Sequence, residues 1–488
     1  MLPQPLRMKL RIRETALFLN DLTTRLPFRY GITTLTRAPH LFVRVVLEID
    51  GRTEHGVAAD NLPPKWFTKN PATSYREDIA GMLDVIRHAC TAAQEAGAHA
   101  SVFELWRAIA APQKVWAAAQ GHPPLLAGFG VSLVERALID AFCRATGTTF
   151  ARAVRENALG IRLSEICPEI AGEPADFLPR APLSEVIVRH TVGLTDSLTD
   201  AEIPDAERVH DGLPQSLEAC IRAEGLTHFK IKLSGDIAHD RSRLHRLAEL
   251  LDRSACAFTL DGNENYHAVA PLRALWEQFR ADPIIAHFLR GLLFLEQPLH
   301  RDVALSEATA AELLAWPDRP QIIIDESDAE PGDLARALRS GYAGTSHKNC
   351  KGVIKGIANA ALIATRRRAE PARPLHLSAE DLTNVGPVAL LQDLAVVATL
   401  GIAHAERNGH HYFAGLSQFP ASVQRAVLAA HGDLYREHDG YPVVRVEQGK
   451  VSTRSVIAAP FGSAITIDPA EFTPESEWDA ARYGAAEG

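Results

Sequence analysis

The chain has 488 residues, of which 46% are hydrophobic and 23% are charged, which is typical of a globular protein long enough for two structural units. The formal net charge of −9, without a basic stripe, argues against a nucleic-acid partner. No run of about 18 apolar residues predicts a membrane span, and the first residues lack the apolar stretch of a signal peptide. The six cysteines are scattered without a CxxC pair, which favours reduced thiols over disulfides or a zinc site. We therefore expect a cytoplasmic protein with no membrane partner.

The first 183 residues indicate an α+β unit. Residues 41–49 form a strand-like run that ends at Asp50 and Gly51, a hairpin turn signal. Apolar residues at helical spacing then predict helices near residues 75–97, 101–120 and 131–145.

Residues 184–410 alternate between strand-like and helix-like segments. The predicted strands are 185–192, 228–233, 257–261, 292–296, 321–325, 344–348, 374–378 and 399–403. Strands separated by helix-length segments predict a parallel sheet, and eight of them favour a closed (β/α)8-type barrel. No G-x-G-x-x-G follows the first strand, which argues against a dinucleotide-binding open sheet. Residues 411–488 lose the alternation and are expected to return to the N-terminal unit.

Three carboxylates end three successive predicted strands. Asp261, Glu296 and Asp325 follow the third, fourth and fifth apolar runs. In such barrels the carboxyl ends of the strands meet at the site of chemistry, and converging carboxylates repel one another unless a cation neutralises them. Oxygen ligands suit a hard ion such as Mg²⁺. The alternative is that each is an ordinary helix N-cap, which is plausible for one residue and much less so for all three.

Lysines occupy the second and sixth predicted strands. Lys230 and Lys232 alternate with Ile231, so both point to one face of the second strand. Lys348 lies at the end of the sixth strand. Burial and a neighbouring cation can lower a lysine pKa until the amine serves as a general base. The alternative is a salt-bridge partner to the carboxylates, which suits Lys230, whereas catalysis is favoured for Lys232 and Lys348.

The order of these motifs resembles the enolase superfamily, and within it the muconate-lactonizing-enzyme-like members of the mandelate racemase/muconate lactonizing enzyme family. The motifs are KIK at 230–232, DGN at 261–263, EQP at 296–298, DES at 325–327 and KNCKG at 348–352. The resemblance implies a TIM-like barrel at 184–410 under an α+β capping domain built from residues 1–183 and 411–488. Residues 351–353 read KGV instead of the usual glycine pair. The eighth strand lacks the paired aspartates of dipeptide epimerases, which counts against a dipeptide substrate.

The resemblance also implies a metal site. Asp261, Glu296 and Asp325 would be the ligands of Mg²⁺, with Mn²⁺ as a possible substitute, and Glu326 would lie behind the third ligand. On the same analogy we expect a homo-oligomer.

The implied activity is abstraction of the α-proton of a small-molecule carboxylate through an enediolate. Lys232 and Lys348 would be the acid/base pair, and Lys230 and Asn263 would polarise the substrate carboxylate. The residues do not choose between a racemase or epimerase and a dehydratase or cycloisomerase. A mandelate-racemase-like histidine base is disfavoured, because His376 lies within the seventh strand and is interpreted as a core residue. A catalytically inactive carboxylate-binding or scaffolding protein is the alternative.

Substrate specificity is expected from the cap and the last strands. The segments at 27–31 and 62–67 are placed to close over the barrel, with Tyr30 and Trp66 as candidate substrate contacts, although simple packing is an equal alternative. Glu380, His404 and Glu406 are candidates for contact with the distal part of the substrate. His410 and His411 could join them, but we favour solvent exposure for this pair.

Overall fold

The computed structural model describes residues 8–251 and 256–483. Its N-terminal unit is an antiparallel sheet covered by helices. The strands are β1 (Leu10–Tyr30), β2 (Thr33–Ile49) and β3 (Arg52–Asn61). The helices are α1 (Tyr75–Glu95), α2 (Val102–Gln120), α3 (Pro124–Thr146), α4 (Phe150–Arg155) and α5 (Leu163–Ile166). The turn at Asp50 and Gly51 and the helices α1 and α2 are confirmed within a few residues. The predicted strand and the third helix are confirmed at their ends, but β2 begins at Thr33 and α3 at Pro124, eight and seven residues earlier than predicted.

Local chemistry explains where these elements begin and how closely they pack. The Ser74 side chain accepts a hydrogen bond from the backbone amide of Glu77, and the Glu77 carboxylate accepts one from the backbone amide of Ser74. This capping box starts α1. Gly56 of β3 lies against α3, where an added Cβ would stand 2.1 Å from the carbonyl oxygen of Ala137. Only glycine permits this approach, which lets α3 bury nearly its whole length against the sheet.

The remaining strands and helices alternate as predicted. The strands are β4 (Glu185–Val192), β5 (His228–Lys232), β6 (Ala257–Asp261), β7 (Leu292–Glu296), β8 (Ile322–Ile324), β9 (Gly344–His347), β10 (His376–Ala379) and β11 (His404–Glu406). Between and after them lie α6 (Leu217–Glu224), α7 (Ile237–Leu251), α8 (Val269–Ala281), α9 (Pro283–Phe288), α10 (Arg301–Ala304), α11 (Glu307–Leu314), α12 (Asp333–Arg339), α13 (Val353–Ala369), α14 (Ala389–Leu400) and α15 (Gly409–Tyr412).

The strands β4 to β11 pair in parallel in the order β10-β9-β8-β7-β6-β5-β4-β11. This is the neighbour order of a TIM-like α/β fold. β10 and β11 lie beside each other, but no hydrogen-bonded ladder joins them in the part of the chain that is described. Closure into an eight-stranded barrel therefore stays a prediction.

The eighth strand lies at a different position from the predicted one. The predicted strand at 399–403 is wrong, because Thr399 and Leu400 end α14 and the strand is β11, five residues further on. The apolar residues before Gly401 belong to the stripe of the helix, and Gly401 ends it with a φ of +73°. The true strand reads His-Ala-Glu and has too little apolar character to stand out.

The C-terminal tail contacts both units. It contains α16 (Ala421–Ala430), β12 (Tyr435–His438), β13 (Tyr441–Val444), β14 (Lys450–Ser452), α17 (Arg454–Ala458) and β15 (Thr473–Pro474). β15 pairs antiparallel with β1, whereas β14 pairs antiparallel with β4. The boundaries predicted for the capping domain and the barrel, at 183/184 and 410/411, stay a prediction.

The N-terminal unit packs on loops that follow the parallel strands. Asn61, at the end of β3, donates hydrogen bonds from Nδ2 to the carbonyl oxygens of Leu382 and Thr383 at 3.2 and 3.0 Å. Gln392 of α14 donates to the carbonyl oxygen of Val57 at 2.7 Å. The segment after β3 is therefore held above the carboxyl ends of the strands.

Two further sequence expectations concern the cysteines and the membrane. All six cysteines lie within the described residues as reduced thiols outside disulfide bonds, and five of them are buried. Within residues 8–251 and 256–483, none of the helices combines the length and the apolar character that crossing a membrane requires.

Candidate active site

A cavity lies between the segments at 27–31 and 62–67 and the carboxyl ends of the parallel strands. Most of the predicted site residues line this cavity. The full lining is Phe28, Tyr30, Pro63, Trp66, Lys230, Lys232, Asp261, Asn263, Asp325, Glu326, Lys348, Asp381, Leu382, Thr383, Glu406 and Asn408. Two further predicted residues, Glu296 and Glu380, are buried behind this lining and contact Lys230. His404 is not brought to the cavity, since it begins β11 and contacts Arg189 and His228.

The strand register aligns the functional side chains. Lys232 of β5 is paired with Asp261 of β6, and Asp261 is paired with Glu296 of β7. These three residues end their strands at the same level, because each apolar run stops there. Lys232 Nζ donates to Asp261 Oδ2 at 2.6 Å. The sequence signal of charged residues at strand ends thus corresponds to one row of side chains beneath the cap.

Lys230 occupies the centre of a buried charge cluster. Its Nζ lies 2.7–3.0 Å from the carboxylates of Asp261, Glu296, Glu380 and Glu406. Burial alone would lower the pKa of Lys230, but these carboxylates outweigh it and hold the pKa well above its ordinary value. Lys230 is therefore a fixed positive charge, in agreement with the salt-bridge interpretation of this residue.

Lys348 faces the cavity from the strand β9 side. Its Nζ lies 2.7 Å from Asp325 Oδ2, 3.1 Å from Glu380 Oε2 and 4.4 Å from the centre of the Trp66 ring. Although burial disfavours the ammonium, Asp325 and Glu380 hold the pKa of Lys348 well above its ordinary value. The prediction that the pKa of this lysine is lowered is wrong for this structure, in which the pKa is raised. The reason is the two carboxylates, which a divalent cation bound to the same oxygens would partly neutralise.

Three carboxylates can share a cation. Glu296, Asp325 and Glu380 each place one oxygen within 4.8 Å of the others. Glu296 Oε2 is buried and has no hydrogen-bond partner among the described residues. Burial and the neighbouring Glu380 raise the pKa of Glu296 well above its ordinary range, whereas Lys230 and Lys348 outweigh burial and lower that of Glu380. Since the trio offers only oxygen and carries excess negative charge, it fits a hard divalent cation.

This trio differs in one member from the set that the resemblance implies. Glu296 and Asp325 belong to both sets, but Asp261 lies outside the trio; its Oδ2 accepts a hydrogen bond from Lys232 and lies 3.0 Å from Lys230 Nζ. Glu380, predicted to touch the distal part of the substrate, takes the third place. Its Oε1 also accepts from the buried Arg189 at 3.0 Å.

Asn263 and Glu326 line the cavity beside these acids. The backbone amide of Asn263 donates to Asp261 Oδ1 at 2.9 Å. The side-chain Oδ1 of Asn263 is buried without a hydrogen-bond partner in the described part of the chain. Asn263 has a φ of +43°, a strained conformation of the kind that clusters at binding sites. Burial and the charge of Asp325 raise the pKa of Glu326 to about 8, so this carboxyl group is mostly protonated at neutral pH.

Gln297 connects two of the strand-end loops. Its Oε1 accepts hydrogen bonds from the amides of Asp325 and Ser327 at 2.7 and 3.2 Å, and its Nε2 donates to Ser327 Oγ at 2.8 Å. This residue is the centre of the EQP motif, but no role was predicted for it. It fixes the backbone that carries Asp325.

Arg301 holds the segment at 62–67 against the loops that follow the parallel strands. As the first residue of α10, it donates to the carbonyl oxygens of Trp66 and Phe67 at 2.9 and 2.7 Å and pairs with Glu264 at 2.7 Å. Sequence reasoning missed it, because an arginine after a strand carries no distinctive signal. Its contacts place Trp66 over the cavity.

Aromatic side chains form the upper wall of the cavity. Tyr30 donates to the carbonyl oxygen of Pro64 at 2.9 Å, and its ring lies 5.0 Å from that of Phe28. Phe28 stacks in turn on Tyr412 at 4.2 Å. The segments predicted at 27–31 and 62–67 therefore meet above the strand ends.

The histidines outside the cavity differ partly from expectation. The expected exposure of His410 and His411 is wrong for His411, which is 5% exposed, and His410 is partly buried. Both lie in α15, which is covered by the N-terminal segment and by α6. His376 begins β10, at the end of the strand away from the cavity, and its ring lies 5.3 Å from Phe294.

Comparisons with known proteins show a shared fold. No protein-family model and no curated protein matches the chain. A mandelate racemase/muconate lactonizing protein from Herpetosiphon aurantiacus is similar with a TM-score of 0.58 and 16% identity, over 93% of this chain and 98% of that one. A muconate lactonizing enzyme from Pseudomonas fluorescens, complexed with muconolactone, gives 0.58 and 15%, over 94% and 98%.

An enolase from Bradyrhizobium, complexed with magnesium and mandelic acid, is similar with a TM-score of 0.56 and 15% identity, over 95% of this chain and 99% of that one. At such identities the likeness is one of fold. The resemblance to mandelate racemase/muconate lactonizing enzymes of the enolase superfamily, predicted from five motifs, is confirmed at that level.

Proposed function

We propose that the protein is a Mg²⁺-dependent enzyme that abstracts the α-proton of a small-molecule carboxylate. The observation that carries this proposal is the placement of Lys232 and Lys348, from the second and sixth parallel strands, around one cavity with a carboxylate cluster at its base. Two proteins of the same fold support the substrate class, since one is complexed with muconolactone and another with magnesium and mandelic acid.

The residues present fit the metal. Glu296 and Asp325 would bind Mg²⁺, or Mn²⁺ in its place. The third ligand would be Glu380, which the distances between the carboxylates favour, or Asp261, which the resemblance to the family implies. When bound, the divalent cation would stabilise the negative charge that develops on the substrate carboxylate as the α-proton leaves.

The chain's own residues supply the proton transfers. Lys232 and Lys348 lie on different strands, so one amine can take the α-proton from one face while the other ammonium returns a proton to the opposite face. That sequence of transfers inverts the α-carbon, as in a racemase or epimerase. If the β-carbon carries a leaving group, removal by one lysine gives elimination, as in a dehydratase or cycloisomerase.

The neighbouring residues hold the substrate and exclude water. The fixed charge of Lys230 and the side chain of Asn263 would polarise the substrate carboxylate, and Glu406 would line the distal end. Trp66 and Tyr30 close the top of the cavity, which strengthens the electrostatic interactions inside it. We further propose a cytoplasmic homo-oligomer.

Exchange of α-hydrogens tests the proposal. The protein with Mg²⁺ is incubated in D₂O with a library of hydroxy acids, N-acyl amino acids and sugar acids, and mass spectrometry reports deuterium uptake. Uptake should vanish with EDTA and in Glu296→Gln, and it should persist in Glu307→Gln, which changes an exposed acid on α11. Uptake that survives both EDTA and Glu296→Gln would contradict the proposal. Mg²⁺ binding without any uptake would favour a carboxylate-binding protein instead.

A further inference from the structure

A second group of potential metal ligands lies outside the cavity, between β4, α6 and α15. His190, Cys220 and His411 each offer one ligand atom within 4.8 Å of the others. His190, Glu224 and His410 form a second such trio, so the two trios share His190. None of these five residues takes part in the proposed proton transfers.

The side chains of the first trio are buried, and one of their nitrogen atoms lacks a hydrogen-bond partner among the described residues. His190, Cys220 and His411 are 2%, 0% and 5% exposed. Nδ1 of His190 is buried and has no hydrogen-bond partner among residues 8–251 and 256–483. A buried polar atom without a partner destabilises the fold, and coordination of a cation would offset that cost.

One pair of donor atoms in each trio has the spacing of two ligands in tetrahedral coordination. With Zn–N near 2.1 Å and Zn–S near 2.3 Å, two ligands of a tetrahedral site stand about 3.4–3.6 Å apart. Cys220 Sγ lies 3.6 Å from His411 Nδ1, and His410 Nε2 lies 3.3 Å from Glu224 Oε2. Both pairs already have the separation of neighbouring ligands.

The fold brings these residues together from distant parts of the chain. Cys220 and Glu224 are four residues apart on α6 and therefore share one face of that helix. His190 stands on β4 between Arg189 and Thr191, which point inward to Glu380 and Glu406, so its own side chain points outward toward α6. His410 and His411 come from α15, after the last parallel strand.

We propose that this cluster binds a transition-metal ion, best Zn²⁺, through the three ligands His190, Cys220 and His411, with water in the fourth tetrahedral position. One thiol and several imidazoles select a borderline ion over Mg²⁺, which prefers oxygen. The site is therefore chemically distinct from the carboxylate cluster of the cavity. Binding releases the thiol proton of Cys220 to solvent, and the ion enters past His410 and Glu224, whose side chains are 7% and 15% exposed.

The ion would connect the first parallel strand to the segment that follows the last one. That segment also supports the cavity wall, since Arg25 of β1 donates to the His411 carbonyl oxygen at 3.0 Å and Tyr412 stacks on Phe28 at 4.2 Å. Because the site links segments far apart in sequence, its binding energy adds to the stability of the fold.

Titration with Co²⁺ in the presence of excess Mg²⁺ tests the site. A thiolate bound to Co²⁺ gives a sulfur-to-metal charge-transfer band in the near ultraviolet, whereas Co²⁺ held by carboxylates does not. EDTA-treated protein should develop this band up to one Co²⁺ per chain and lose it when Zn²⁺ is added. Cys220→Ser should abolish the band, and Cys167→Ser, which alters a buried thiol outside the cluster, should retain it. A missing band in the unaltered protein, or an unchanged band in Cys220→Ser, would overturn the proposal.

The Tm of the unaltered protein, measured with and without Zn²⁺, is a second test of the site. Equimolar Zn²⁺ added over excess Mg²⁺ should raise the Tm by several degrees, and a chelator should reverse the change. The same addition to His411→Ala should raise the Tm much less. A Tm that Zn²⁺ leaves unchanged in the unaltered protein would count against the site, whatever the outcome of the exchange assay.

Discussion

Replacing Glu380 by glutamine removes one negative charge from the base of the cavity at nearly constant volume. Its Oε2 lies 2.7 Å from Lys230 Nζ and 3.1 Å from Lys348 Nζ, and all three side chains are buried. At an effective dielectric constant of 20, Coulomb's law gives about 6 kcal/mol for unit charges 2.7 Å apart. Relief of repulsion with Glu296 and of carboxylate desolvation offsets part of this energy. We expect a net loss of about 3–5 kcal/mol in the free energy of unfolding, as for other buried ion pairs that lose one partner.

Urea denaturation at pH 7, without added metal, measures this loss. The matched control is Glu326→Gln, which alters another buried carboxyl group of the same cavity. Because the pKa of Glu326 is raised to about 8, that group is mostly neutral at pH 7, and its replacement should cost under about 1 kcal/mol. Equal destabilisation by the two variants would refute the charge balance described here. Mg²⁺ titration of Glu380→Gln and of Asp261→Asn then identifies the third ligand. The variant that loses more affinity for Mg²⁺ is the one whose carboxylate binds the ion.

Three further predictions address the loops and the pH dependence. Arg301→Ala removes two charged hydrogen bonds of about 1.5–3 kcal/mol each from the segment that carries Trp66, so hydrogen–deuterium exchange should accelerate at residues 62–69, and unchanged exchange there would contradict the anchoring role. Gln297→Ala leaves the buried amide of Asp325 without an acceptor and should cost about 1–3 kcal/mol in urea denaturation, together with weaker Mg²⁺ binding. Burial lowers the pKa of His40 to about 4, so the unfolded chain binds the extra proton between pH 4 and 6.5 and stability rises with pH there. His40→Gln should flatten this slope by up to about 1.4 kcal/mol per pH unit, and identical slopes would contradict the shift.

The strand ends were predictable because local sequence determines them. The apolar runs before Asp261, Glu296 and Asp325 stop at a charged residue, and a parallel sheet aligns such endings without further information. β11 escaped prediction for the opposite reason. Two of its three residues are polar, and the strand lies just after the apolar helix α14, so hydrophobic periodicity favours the helix.

Features that depend on contacts between distant segments could not be read from the sequence. The pKa of Lys348 is raised because Glu380, from the loop after another strand, lies 3.1 Å away. Arg301 reaches the cap segment only in the folded chain. The cluster of Cys220 and His411 likewise has no local spacing that resembles a metal motif.

Deuterium exchange on separate enantiomers tests the central claim most directly. The acid that exchanges best is supplied in each configuration to Lys232→Ala, to Lys348→Ala and to the control Lys114→Ala, which alters an exposed lysine on α2. Removal of a general base typically costs about 10²–10⁴-fold, so we expect at least one of the two cavity variants to lose exchange to that extent with one enantiomer. In a racemase each variant should lose a different enantiomer. If both cavity variants exchanged both enantiomers as fast as Lys114→Ala, these lysines would not be the bases and the account would be contradicted.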